Sequence, residues 1–432
     1  MSKQAIKTIS LLWIGSLLGA GCAFLVQIIL ARHLGPLEFG NFSAAFATVI
    51  LLTPLAGFGI SQYWLKVFGE EGWEAIRWFP SSFYFVIVST LSVFIILIVW
   101  SFMGPHDKSM KIIFFSLSFY VFGQVVIELV GSKLQLEEHY NHLAFWQFSP
   151  HLIRLILISI LAFLLKEFFN GERVALIYAS VSIFFGILGS IYLWHMSKGD
   201  FALKGHLIEK RIIETPMPTL KTLILQVWPF GLAGLFHFIY FQSDIILVKY
   251  ITGGEAAGIY NVAFTIMAGV LIFPGIVYQK FLLPKMHRWA HHDRKRFYHV
   301  YRQGNIIMLL LGTVAMVLIW MIMPWGIPFL FGDIYQDAVS LLIVLSISIP
   351  VLFLASSVGA TLVTQEHMKR KVKYMGTVAL INIMLNIILI PPFGAYGAAV
   401  ATVLSNMILL SIYYIAAKKI VFTEENMNFK ND

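Results

Sequence analysis

The chain of 432 residues is 59% hydrophobic and only 12% charged, with a formal net charge of +9. Soluble domains are about a quarter charged, so this composition excludes an ordinary soluble fold and places the chain in a bilayer. One cysteine, Cys22, excludes a disulfide framework and any cysteine-based metal site.

A helix needs about 20 apolar residues to cross roughly 30 Å of hydrocarbon. Twelve such stretches follow one another, near 9–30, 42–66, 82–103, 110–131, 149–166, 174–196, 222–246, 258–282, 304–324, 338–362, 371–392 and 396–417. None alternates as a barrel strand must, and backbone groups in lipid are satisfied only within a helix or a closed barrel, so an all-α integral membrane protein is expected. The first stretch follows Lys3 and Lys7 in the manner of a signal peptide, but its length and the spans behind it make it a retained first helix. The run Gly19-Ala20-Gly21-Cys22 departs from a lipoprotein cleavage site, since Gly19 stands where leucine is needed, and Cys22 reads as a packing residue.

The segment Gln27 to Phe46, QIILARHLGPLEFGNFSAAF, returns some 217 residues later as Asp244 to Phe264, DIILVKYITGGEAAGIYNVAF, with one residue inserted in the turn. Gly40 aligns with Gly258, Phe42 with Tyr260, Ala45 with Ala263 and Phe46 with Phe264. Self-similarity of this kind decides the architecture before any other signal, and half-chain repeats are how many transporters are built. Pro54 and Pro274, two positions apart in the alignment, each remove a backbone hydrogen bond and are expected to break the second helix of their copy. Gly15, Gly19, Gly21, Gly231 and Gly234 allow close helix approach.

The cations set the topology. With the N-terminus taken as cytoplasmic, the tails and inner loops hold 24 of the 31 Lys and Arg, the outer loops hold six, and Arg154 lies inside a span. That bias puts both termini in the cytoplasm. Six helices per copy then make the repeat parallel: a bundle over 1–196, a cytoplasmic linker over 197–221, a second bundle over 222–417 and a cytoplasmic tail over 418–432, with a central cleft between the six-helix bundles. Basic loops facing anionic headgroups account for the net charge without a nucleic acid. The longest outer loop is about a dozen residues, too short for an external catalytic domain. No phosphate-cradling Walker sequence is present, and His139 and His142 lack the spacing of a zinc protease. The chain therefore reads as a transporter rather than an enzyme, without metal or cofactor.

Ionisable groups at membrane depth are costly and mark functional sites by default. Arg154 in the fifth span and Glu128 in the fourth stand at similar depth, where they either pair or snorkel to the interface. Asp244 occupies the repeat position of Gln27; it either pairs with Lys249 or binds a coupling Na⁺ or proton. Arg32 and Lys249 are repeat equivalents past the first helix of each copy; they either anchor the helix ends or hold an anionic headgroup at the outer exit, with Arg154 engaging it from inside. Gln27, Gln124 and His237 complete the candidate cleft lining, while Gln62, Gln242, Asn382 and Asn386 suit hydrogen bonds between helices.

LGPLEFGNFSAAF and TGGEAAGIYNVAF, together with Phe331-Gly332-Asp333-Ile334-Tyr335, Asn382-Ile383-Met384-Leu385-Asn386 and Phe393-Gly394-Ala395-Tyr396-Gly397-Ala398-Ala399, resemble the polysaccharide transporter family of the multidrug/oligosaccharidyl-lipid/polysaccharide superfamily. The resemblance runs over nearly the whole chain. It implies a flippase of the O-antigen or capsule-repeat type: two six-helix bundles around a cationic cleft that carry an undecaprenyl-pyrophosphate-linked oligosaccharide from the cytoplasmic to the external leaflet of the inner membrane. Its implied partners are that polyprenyl-linked glycan and membrane lipid, with a polymerase and glycosyltransferases nearby, and a monomer as the working unit. Two rival expectations remain: an ion-coupled multidrug antiporter, in which Asp244 binds the ion, and a non-transporting scaffold for glycan enzymes.

Overall fold

The computed structural model describes residues 3–204, 216–275, 277–278, 282, 286, 289, 293–362 and 368–422, with 3–13 and 368 as backbone only. The middle of the expected linker (205–215), the tail from 423, and Lys280, Lys285, Arg288, His291 and His292 of the basic loop lie outside the described residues.

All regular structure among the described residues is helical. The helices are α1 (Lys3–Gly57), α2 (Ile60–Glu71), α3 (Phe79–Met103), α4 (Lys108–Leu136), α5 (Tyr140–Phe163), α6 (Gly171–Ser197), α7 (Leu220–Thr252), α8 (Gly254–Gly275), α9 (Arg294–Phe331), α10 (Asp337–Ser346), α11 (Ser348–Thr361), α12 (Met368–Phe393) and α13 (Ala395–Ala416). Ten helical stretches among the described residues are long and apolar enough to cross a membrane, and the first, Ile14–Met103, runs through the first three expected spans. The chain is a multi-pass membrane protein.

Local chemistry explains the breaks. Within α1 only Gly35 leaves helical geometry, at φ 72 and ψ 170, a conformation that suits glycine. Pro36 then opens the next helical segment, where a missing N–H costs nothing. Three residues after Pro54 the helix ends at Gly57, and Phe58 (φ 41) and Gly59 (φ 76) carry the chain into α2. Pro274 lies within α8, which is described as far as Gly275.

Two compact units emerge, one made of Met1–Leu34 and Asn41–Phe238, the other of Gly35–Gly40 and Ile239–Asp432. Position 222, where the second bundle was expected to begin, falls within α7, whose first part to Phe238 groups with the first unit. In that unit the most extensive pairing is α4 with α6, where a Cβ at Gly123 would overlap the backbone of Ser182. In the second unit α9 pairs with α11 and α12 with α13. Exposed apolar residues three or four apart, such as Ile87, Leu91, Ile95 and Val99 on α3 and Ile307, Leu310, Val314, Leu318 and Met321 on α9, form the stripes that face lipid.

The repeated glycines have a structural reason. A Cβ at Gly40 would overlap the carbonyl of Gly254, and a Cβ at Gly258 would overlap the carbonyl of Pro36. Because Pro36 and Gly254 are themselves aligned, the two copies of the turn cross reciprocally, glycine against carbonyl, inside the second unit. Each crossing needs its own glycine, and a methyl group there forces backbone apart. Gly40→Ala and Gly258→Ala are each expected to destabilise the protein by about 1–3 kcal/mol, read as a lower melting temperature in detergent. Gly21→Ala, where the added methyl meets nothing within 4 Å, should leave the melting temperature unchanged.

Candidate functional site

Two polar sites lie inside the helix packing, one in each unit. In the first, Arg154 on α5 is 5% exposed. Its guanidinium sits over the ring of Tyr120 on α4 at 5.1 Å and over that of Tyr178 on α6 at 5.0 Å. One terminal nitrogen donates to Ser182 Oγ at 3.3 Å, and Nε is buried without a hydrogen-bond partner. Phe46 stands edge-on to both tyrosines at 5.0 Å, and Phe42 packs against Tyr178 at 5.5 Å. A desolvated cation between two aromatic faces gains about 2 kcal/mol or more, which offsets part of the cost of removing it from water. No ion pair among the described residues includes Arg154.

In the second unit Asp244 on α7 is 1% exposed. Its Oδ1 accepts from Asn386 Nδ2 on α12 at 2.7 Å, and its Oδ2 accepts from the Tyr260 hydroxyl on α8 at 2.9 Å and from Thr402 Oγ1 on α13. Asn386 Nδ2 is shared with Asn382 Oδ1 at 3.2 Å, and Asn382 Oδ1 also accepts from Ser243 at 2.9 Å. Asp244 likewise belongs to no ion pair among the described residues. Three neutral donors thus hold a buried carboxylate in place of a counter-ion. Oxygen-rich surroundings of this kind suit a hard cation or a proton, whereas no cluster of three His, Cys, Asp or Glu side chains occurs among the described residues.

The repeat relates the two sites. Phe42 and Phe46 stack at 6.1 Å beside the tyrosines that hold Arg154, and their equivalents Tyr260 and Phe264 stack at 6.3 Å beside Asp244. Where the first copy has Gln27 and a phenylalanine, the second has a carboxylate and a phenol to donate to it.

Glu128, exposed between buried neighbours on α4, accepts from Gln124 Nε2 at 3.3 Å, so the expected pairing with Arg154 does not form. Asp244 does not pair with Lys249, whose ammonium sits 4.0 Å from the Tyr250 ring centroid. Arg32 and His237 are exposed, and Gln27 is half-buried. Asn382 and Asn386, expected only as interhelical hydrogen bonders, prove to be part of the Asp244 cluster. Tyr120, Tyr178, Ser182 and Thr402 carried no sequence signal as site residues. Tyr260 carried one, since its hydroxyl is what distinguishes it from Phe42 in the copy that also holds the carboxylate.

Residues 5–289 match the model of the polysaccharide biosynthesis protein family. Over its length the chain is similar to the capsular polysaccharide biosynthesis protein CapF of Staphylococcus aureus, with 22% identity covering 96% of this chain and 100% of that protein. It is also similar to an uncharacterised membrane protein of Methanocaldococcus jannaschii, with 21% identity covering 94% and 96%. Among solved structures, the lipid II flippase MurJ in an inward closed conformation aligns with TM-score 0.68 at 16% identity, covering 94% of this chain and 87% of that one. An inward-facing multidrug resistance MATE family transporter of the MOP superfamily aligns with TM-score 0.67 at 13% identity, covering 96% and 97%. The chain belongs to the polysaccharide biosynthesis protein family and has the fold seen in the MOP-superfamily transporters.

Proposed function

We propose that this polysaccharide biosynthesis protein moves an oligosaccharide repeat unit, linked to undecaprenyl pyrophosphate, from the cytoplasmic to the external leaflet of the inner membrane by alternating access. The product would feed O-antigen, capsule or exopolysaccharide assembly, with a polymerase and glycosyltransferases as neighbours in the pathway, a monomer as the working unit, and both termini in the cytoplasm. The observation that carries this reading is Arg154, a guanidinium buried among helices with a bare Nε and no carboxylate. A pyrophosphate cannot cross hydrocarbon alone, while its polyprenyl tail can remain in lipid, so the protein must supply positive charge along a shielded path. The capsular relative and the flippase of similar fold support a lipid-linked glycan precursor as cargo.

In this scheme Arg154 takes the pyrophosphate when α5 and its neighbours open, and Arg32 and Lys249 receive it at the outer side. Gln27, Gln124 and His237 offer hydrogen bonds to sugar hydroxyls, and the break after Pro54 and the proline at 274 let the second helices bend. Asp244 couples the cycle to a Na⁺ or proton gradient: its charge has three donors but no cation, so binding Na⁺ or a proton relieves the burial of a net charge. Glu128, which accepts from Gln124, is the second candidate for the coupling ion. An antiporter of amphiphilic cations could use the same Asp244; the uncompensated Arg154 favours an anionic cargo instead.

Arg154→Ala is expected to lower flipping by about tenfold or more, the loss of one well-placed charged contact at roughly 1.4 kcal/mol per decade. The readout is accumulation of the lipid-linked repeat in the cytoplasmic leaflet of cells that depend on this protein. Full flipping by that variant removes Arg154 from the headgroup site. Asp244→Asn should abolish the response of transport to imposed Na⁺ or proton gradients in liposomes; an unchanged response removes Asp244 as the coupling group.

A further inference from the structure

The polar cluster around Asp244 continues beyond the carboxylate. Tyr240 stands four residues before Asp244 on α7, Asn382 four before Asn386 on α12, and Asn406 four after Thr402 on α13. Residues four apart share one face of a helix, about 5–6 Å from Cβ to Cβ. The displacement has the same sense in all three helices. A Cβ at Gly394, in the turn between α12 and α13, would sit 3.9 Å from Thr252 Cγ2 at the end of α7. That end is therefore common to the three helices, and 240, 382 and 406 all lie one turn farther from it than 244, 386 and 402.

The result is a second polar layer, as deeply buried as the first: Asn382 and Asn406 are 0% exposed and Tyr240 is 8% exposed. Its groups are short of partners. The Tyr240 hydroxyl, Asn382 Nδ2 and both amide atoms of Asn406 make no hydrogen bond, and neither does the adjacent Ser405 Oγ. Asn382 joins the layers, since its Oδ1 accepts from Ser243 and from Asn386. Folded proteins pair nearly all buried polar groups, so donors and acceptors left open together in one layer offer water the two to four partners it needs.

We propose that Tyr240, Asn382 and Asn406 form a hydrated antechamber through which the small cation held at Asp244, Na⁺ or a proton, exchanges with the side of the membrane on which α7 and α12 begin. This rests on reading Asp244 as the coupling group. Tyr240 and Asn406 are route residues in this scheme and not ligands of the bound ion. They set how fast the ion comes and goes, and leave its affinity to the first layer.

The test uses the full chain in liposomes, with equilibrium binding and exchange of radioactive Na⁺ measured separately, and an internal pH dye for a proton arm. Tyr240→Phe and Asn406→Leu are expected to keep equilibrium binding within about twofold and to slow exchange about tenfold, since they remove the groups that line the path. Asn406→Ser, which keeps a hydroxyl for water, should recover most of the rate, whereas Asp244→Asn should lose binding altogether. Wild-type exchange in both route variants, with binding lost in Asp244→Asn, overturns the antechamber and leaves the Asp244 site standing. Binding and exchange untouched by Asp244→Asn in both ion arms overturn the two together. Loss of equilibrium binding in Tyr240→Phe makes that residue part of the ion site and overturns its role as a route residue. Should Asn406→Leu fail to fold, Tyr240→Phe, which deletes a single oxygen, carries the same outcomes.

Discussion

Hydrocarbon offers neither a hydrogen-bond partner to a backbone amide nor a counter-charge to an ion, and this chain is arranged around those two absences. The first makes every described element a helix, because only a helix satisfies its own amides within one segment. The second makes Arg154 and Asp244 conspicuous, because buried Lys133 and Glu137 pair with each other, whereas each of these two is stabilised by neutral groups on neighbouring helices. Both solutions are neutral ones. Two tyrosine faces and a serine hold the guanidinium, and a phenol, a hydroxyl and an amide hold the carboxylate. A neutral shell keeps a buried charge tolerable while leaving it able to answer an ion of opposite sign, which an internal salt bridge would prevent.

The internal duplication gives those two sites a common frame. At matching positions a stacked aromatic pair braces each site, Phe42 with Phe46 in one copy and Tyr260 with Phe264 in the other. Within the repeated segment the chemistry differs by few atoms, Gln27 against Asp244 and one phenolic oxygen, while Arg154 comes from α5, outside that segment. The repeated glycines belong to the same frame, since the crossing of Gly40 on Gly254 and of Gly258 on Pro36 permits backbone approach that any side chain would block. Van der Waals packing through small residues is the main force joining helices in lipid, so the turn that marks the repeat in sequence is also a point where helices lock.

Much of this was legible beforehand. Hydropathy and the repeat led to an all-helical transporter fold, and the cost of charge at depth singled out Arg154 and Asp244. The partners of those residues were not legible, because Tyr120, Tyr178, Ser182 and Thr402 are ordinary residues on apolar helices whose rotation about their own axes is set only by packing. Proximity in sequence misled where side chains were assumed to meet: Lys249 is five residues from Asp244, yet its ammonium lies over Tyr250. Glu128 and Arg154 were matched in depth, but the former turns to Gln124 on its own helix.

The amino-acid sequence by itself determined that the chain lives in a membrane, that it is helical, that it is a duplication, and which ionisable residues lie too deep to be incidental. Each of those follows from composition or periodicity, which sum over many residues and survive local error. Only the tertiary structure decided which neutral side chains surround each charge, that Asp244 and Arg154 are each without an ion-pair partner among the described residues, and that a second polar layer stands one turn from Asp244. Those depend on the azimuth of single side chains across three or four helices, and in helices this uniformly apolar no pattern in the sequence records it.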